Sequence, residues 1–265
     1  MMFSREHAPI SSAALEAIDA QAVRTLRENL SARRFVDVKG PEGWDFSGVP
    51  LGKFEKLDRS GDVGYGVRSI VPAVEARAEF ELAAFDLHMI DRGSADPDLV
   101  PVEKAAIAAA AFEDNAVYYG FGAARLKGLA DVAANAPVSL PGDAQGFLYA
   151  LYSEITRLKT VESIGGPYAL VGGKTLRDAL CRIADGRSLF DLVKKNSDVD
   201  EFIYTPSNDG ALLVSKRGGD FELTLGGDFI VGYNGSDGKM LKFYLTESFS
   251  FRVIEPRAFT PLSVK

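Results

Sequence analysis

The sequence predicts an α+β fold on three observations. Apolar residues recur at helical spacing early and in the middle of the chain, alternate at strand spacing towards its end, and flank a polar, glycine-bearing tip at 58–66. The first element is a helix over 12–31. Ser11 or Ser12 caps it just after Pro9, and Leu15, Ile18, Ala22, Leu26 and Leu30 share one face. Residues 33–38 read as a short strand, stopped by Gly40-Pro41 and Gly43-Trp44.

Residues 52–82 read as a long β-hairpin arm. Lys53, Phe54, Glu55, Lys56 and Leu57 run outward, and Val74, Ala76, Ala78, Phe80 and Leu82 return in alternation with charged residues. A two-stranded ribbon is marginal by itself, so the arm needs a surface, and a neighbouring copy of the chain is the natural one. Helices are predicted over 102–125, rich in alanine, and over 142–159, with Leu148, Leu151, Ile155 and Leu158 on one face. A buried strand at 168–171 follows the break Gly165-Gly166-Pro167. Helices at 174–184 and 188–195 then flank a turn at 185–187, and strands at 211–215, 221–225, 229–231 and 241–254 end the chain.

The chain has 265 residues, 46% hydrophobic and 25% charged, enough apolar side chain for a true core. A formal charge of −7, with both signs spread along the chain, supplies no concentrated basic face, and no nucleic-acid partner is expected. The opening residues hold no secretory apolar run, and the most apolar stretch, 105–112, is too short to cross a bilayer. No membrane partner is expected, and the location expected is cytoplasmic. The single cysteine, Cys181, sits among Leu176, Leu180 and Ile183, which reads as a buried, inert thiol in a reducing compartment.

Catalytic chemistry is hard to place. The two histidines, His7 and His88, belong to no His/Cys/Asp cluster at metal-ligand spacing. Gly173-Lys174-Thr175 ends like a phosphate loop, but Tyr168 stands where the first glycine belongs, so a plain helix start is expected there. Glu113-Asp114 are adjacent on a helix and diverge by about 100°, which fits a solvated or salt-bridged structural role better than paired acid–base work. No enzyme, metal or cofactor is predicted.

Several blocks in fixed order carry a resemblance. They are Arg5-Glu6-His7-Ala8-Pro9-Ile10, 32–38 with Gly40-Pro41-Glu42-Gly43-Trp44, Asp91-Arg92-Gly93, Phe112-Glu113-Asp114, Lys127-Gly128-Leu129, 166–170, 215–221 and 246–253. From Arg5 to about Leu262 the chain resembles the type 1, linocin-like encapsulins, shell proteins of nanocompartments. The resemblance implies the HK97 phage-capsid fold, with an N-terminal helix and first part of the peripheral domain at 1–51, an extended loop at 52–82, more peripheral domain at 83–132, a largely axial domain at 133–225 carrying the pore loop, and a return to the peripheral domain at 226–265. It implies icosahedral self-assembly, which takes at least about sixty copies.

Two surfaces come with it. The first is a cargo-peptide groove at Leu26, Leu30, Arg33, Phe35, Asp37, Ile230 and Tyr233, in which apolar residues take aliphatic side chains and Arg33 and Asp37 pair charges; Leu26 and Leu30 read equally as core. The second is a pore turn at Ala184, Asp185, Gly186, Arg187 and Ser188. The cargo implied is a dye-decolourising peroxidase or a ferritin-like protein bearing a C-terminal targeting peptide, with a role in oxidative stress or iron storage. Flavin is not implied, because Phe85 stands where some relatives carry tryptophan. Two other readings of the chain are an antibacterial or proteolytic protein, for which no nucleophile–base pair exists, and a DNA-packaging phage capsid subunit, against which the acidic balance counts.

Overall fold

The computed structural model describes residues 5–94, 96–184, 186–207 and 209–265. Helix α1 (Ser12–Asn29) starts where the Ser11 hydroxyl accepts the Ala14 amide at 3.1 Å, and buries Ala14, Ile18, Ala22, Thr25 and Leu26 on one face. The stretch expected as a strand at 33–38 is instead a 3-10 turn (Ala32–Arg34) followed by β1 (Asp37–Lys39). The cause is Asp114. Its buried carboxylate accepts the amides of Ser31 at 3.2 Å and Ala32 at 3.0 Å, and so curls the backbone before it can extend.

Strands β2 (Gly48–Ser60) and β3 (Val63–Pro72) form the arm around the two-residue loop Gly61-Asp62. Gly61 has φ +59°, the left-handed backbone needed at the first position of a type II′ hairpin turn. The expected return strand is therefore mistaken. The return begins eleven residues earlier, at Val63, and the alternating run becomes a separate strand, β4 (Val74–Ala83). Next come α2 (Ala84–Asp91), α3 (Val100–Tyr119), α4 (Leu129–Val132), β5 (Val138–Leu140) and α5 (Ala144–Thr160). Asp143 caps α5, its Oδ1 accepting the Gly146 amide at 2.7 Å. Strand β6 (Tyr168–Gly172) and α6 (Lys174–Leu180) precede a small hairpin of β7 (Ile183–Ala184) and β8 (Arg187–Ser188). Helix α7 (Leu189–Asn196) and strands β9 (Val199–Tyr204), β10 (Ala211–Ser215), β11 (Phe221–Ser236), β12 (Met240–Val253) and β13 (Phe259–Val264) complete the chain.

The chain divides into two units, each discontinuous in sequence. The first takes in residues up to 29, 39–113 and 224–250. It carries most of a four-stranded sheet ordered β1-β11-β12-β4, in which β4 pairs antiparallel with β12 from Val74 opposite Phe249 to Ala83 opposite Met240. Phe80 and Phe243 stack across that ladder at 5.7 Å. Gly226-Gly227, expected to separate two strands, lies inside β11. A Cβ on Gly227 would stand 2.2 Å from Cε2 of Trp44, so the bare backbone makes room for the indole.

The second unit takes in 30–38, 114–223 and 251–265, around a five-stranded sheet ordered β5-β13-β10-β6-β9. Strand β6, buried along its whole length, runs antiparallel to β10 and parallel to β9, which accounts for its unbroken apolar sequence. Helix α5 buries Phe147, Leu151, Ile155 and Leu158. Its Glu154 is also buried, and is paired with Arg157 at 2.8 Å while accepting the Thr260 hydroxyl of β13 at 2.6 Å.

Two single-residue expectations change. Cys181 is exposed, because it is the C-cap of α6, where the chain has already turned away from the buried face formed by Leu176 and Leu180. Glu113 and Asp114 are structural as expected but fully buried rather than solvated, Asp114 by virtue of the hydrogen bonds to the 31–32 turn. Among the described residues no helix is long and apolar enough to cross a membrane.

Candidate functional site

The residues expected to form the peptide groove fall in both units. In the first, Leu26 is the last buried residue of α1, at 6% exposure. Ile230 and Tyr233 are half-buried on β11, and the Tyr233 ring lies 5.5 Å from that of Phe243. Leu30, Arg33, Phe35 and Asp37 belong to the second unit. Phe35 is buried between Tyr118 at 6.1 Å and Phe221 at 5.9 Å, and is a supporting core ring. Leu30 and Arg33 are half-buried.

Asp37 is already engaged. Its Oδ2 accepts the Gly219 amide at 2.6 Å, pinning a turn in which Gly218 and Gly219 both have left-handed φ, +83° and +82°. Beside this turn Arg217 grips Asp220 with two hydrogen bonds, at 2.9 and 2.7 Å. Arg34 pairs with Glu201, and Lys216 reaches both Glu201 at 2.8 Å and Asp200 at 3.1 Å. Burial works against ionisation of Glu201, yet Lys216 and Arg34 together hold its carboxyl below the usual range. Beneath the cluster the Tyr118 hydroxyl lies 2.8 Å from Ser31 Oγ, and burial, reinforced by the Asp114 charge, pushes its ionisation far above the ordinary tyrosine value.

Of the expected pore turn, Ala184 ends β7, Gly186 has φ +75°, Arg187 is exposed on β8 and Ser188 caps α7. Asp185 lies outside the described residues. Phe85, where flavin was considered, is 71% exposed near the start of α2. Among the described residues no group of three or more His, Cys, Asp or Glu is placed to hold a metal ion.

Two concavities were not anticipated. A groove of about 710 Å³ in the first unit lies between β4, from Glu75 to Phe80, and the alanine face of α3 with Lys104 and Phe112. An open concavity of about 520 Å³ in the second unit is lined by Arg187, Asp191, Lys194 and Lys195. The sequence signal for the latter was the Lys194-Lys195 pair in the last turn of a helix beginning beside Arg187.

Comparison with known proteins agrees with the resemblance. A family profile described as "Encapsulating protein for peroxidase" matches residues 1–250. A type 1 encapsulin shell protein of Rhodospirillum rubrum is 39% identical over 97% of this chain and 95% of its own length. Those of Brevibacterium linens and Mycobacterium tuberculosis are 34% and 30% identical, each over 98% of both chains. Among solved structures, a virus-like particle from Pyrococcus furiosus superimposes with a TM-score of 0.68 at 15% identity, covering 94% of this chain and 98% of that one. The capsid of the myovirus phage XM1 gives 0.59 at 15% identity, covering 89% and 92%. These likenesses establish the phage-capsid fold. With matches this long to relatives this similar, the chain belongs to the type 1 encapsulin shell protein family.

Proposed function

We propose that the chain assembles with copies of itself into a closed icosahedral shell that encloses a cargo protein in the cytoplasm, and that it is a wall rather than a catalyst. Beyond family membership, the observation that carries the reading is the arm. Phe54, Leu57, Val63, Val67 and Ile70 are each between 47% and 72% exposed on a ribbon that the rest of the chain leaves uncovered. Apolar side chains on both strands of an uncovered hairpin favour burial against another copy, and head-to-tail contacts of this kind close into shells when the rotations close. As the resemblance implies, residues 1–51, 83–132 and 226–265 would supply the peripheral domain, the β2–β3 arm the extended loop, and residues 133–225 most of the axial domain with the pore turn at Ala184–Ser188.

In this reading the groove at Leu26, Leu30, Arg33, Phe35, Asp37, Ile230 and Tyr233 holds the C-terminal peptide of a cargo, with Asp37 and Phe35 shaping it and Arg33 and Tyr233 touching the peptide. A dye-decolourising peroxidase or ferritin-like protein is the cargo class, which would place the shell in oxidative-stress defence or iron storage. Negative-stain microscopy of the purified chain tests assembly: uniform hollow particles are expected, and monomers alone would overturn the reading. Loading is tested by co-expression with a fluorescent protein fused to the C-terminal segment of the protein encoded beside this chain. Arg33→Glu and Tyr233→Ala shells should form normally and carry less fluorescence; unchanged loading would remove those two residues from the groove.

A further inference from the structure

We propose that the concavity on α7 is a binding site for small multivalent oxyanions of the phosphate class. Three cationic side chains, Arg187, Lys194 and Lys195, line it against one carboxylate, Asp191. That carboxylate is turned back on the helix cap: its Oδ2 accepts the Ser188 hydroxyl at 2.6 Å, while Ser188 Oγ accepts the Asp191 amide at 3.1 Å. Among the described residues Arg187, Lys194 and Lys195 form no ion pair. The Lys194 ammonium lies 5.6 Å from the Phe190 ring, which orients it without neutralising it. Arg182, just before β7, donates to the Gly142 carbonyl at 2.6 Å, a neutral acceptor, and forms no ion pair among the described residues.

This cationic excess stands on an acidic background. Between residues 182 and 195 basic residues outnumber acidic ones four to two, on a chain whose net charge is −7. Two lysines in a last helical turn are favourable to the helix dipole by themselves. That accounts for Lys194 and Lys195 but not for Arg187, which stands on β8, before the helix begins, and lines the same concavity. A guanidinium supplies a planar two-donor fork and the ammonium groups supply point charges, the combination suited to tetrahedral oxyanions. A concave wall of one sign concentrates counter-ions more strongly than the same charges on a flat face. The site belongs to a single chain and so stands apart from the shell reading. In a shell whose pore turn is Ala184–Ser188, it would lie beside the opening and gather anions there.

The test is isothermal titration of the full-length protein with inorganic pyrophosphate at low salt, repeated with Arg187→Gln and with the double variant Lys194→Gln/Lys195→Gln. Wild type is expected to bind about one pyrophosphate per chain. Each variant should weaken binding by roughly tenfold or more, the scale of one charge-assisted hydrogen bond. Affinity should also fall as salt is raised. Circular dichroism and particle images establish that the variants are folded and assembled as wild type is. Undetectable wild-type binding at millimolar pyrophosphate, or equal binding by folded variants, would overturn the site. Wild type that binds pyrophosphate but forms no particles would overturn the shell reading alone.

Discussion

Asp114 shows how much one side chain organises. It is fully buried on α3 and serves the amides of Ser31 and Ala32 and the hydroxyl of Ser31, so removing it strands the two amides away from water and leaves the hydroxyl only Tyr118 as a partner. Asp114→Ala should destabilise the second unit by about 3 kcal/mol, read by thermal unfolding, and Asp114→Asn, which keeps the shape, by less. Glu255 makes a pH-dependent contribution. Two hydrogen bonds from the Arg257 side chain, at 2.8 and 2.6 Å, hold its carboxyl well below the ordinary value, at about 2. A depressed folded-state value stabilises above the unfolded one, about 4.3, and that stabilisation is lost as pH falls through about 2. The difference in melting temperature between wild type and Glu255→Gln should therefore be constant above about pH 5 and vanish near pH 2. A gap that persists at pH 2 would mean the pair does not titrate in this way. The role of Asp114 left no sign in the sequence, because its partner Ala32 lies 82 residues away; Glu255 and Arg257 are only two residues apart, a local pair that a surface-charge reading passes over.

Among the elements, those set by local signals were legible. Helix α5 begins one residue after its capping Asp143, and β10 occupies the span its apolar run marks. Elements whose evidence is tertiary were not. β9 hides behind Asp200 and Glu201, and β13 contains Pro261, tolerated because β5 pairs only from Leu262 onward, leaving the proline edge free. Alternation revealed β4 as a strand but not that its ladder partner is β12, whose paired residues lie 157 to 175 positions further along the chain. Gly227 is the sharpest case, since its reason is a distant indole. Gly227→Ala should displace Trp44, the only tryptophan, shifting its emission to the red and costing about 1–3 kcal/mol; unchanged fluorescence would mean the strand yields instead. For the arm, Leu57→Asp with Val63→Asp removes exposed apolar groups only. The chain should keep its circular dichroism while losing particles, a result that microscopy and sedimentation would read directly.

For the whole molecule, the family was legible because ordered sequence blocks span nearly the entire chain, whereas the site was only partly so. The turn at Ala184–Ser188 was singled out by resemblance, whereas the basic concavity next to it in sequence needed the helix geometry that places Lys194, Lys195 and Arg187 around one space. Charge also bears on assembly. Copies carrying −7 each repel, and raising ionic strength from about 0.01 M to 0.15 M shortens the screening length from about 30 to 8 Å. Light scattering should show assembly proceeding further at the higher salt; the opposite trend would mean that charge pairs between copies outweigh net repulsion. The exposed thiol of Cys181 gives such experiments a counting device. With one thiol per chain, a maleimide dye labels each copy once, without engineering. The brightness of a single particle divided by that of a single chain then reads the number of subunits in it.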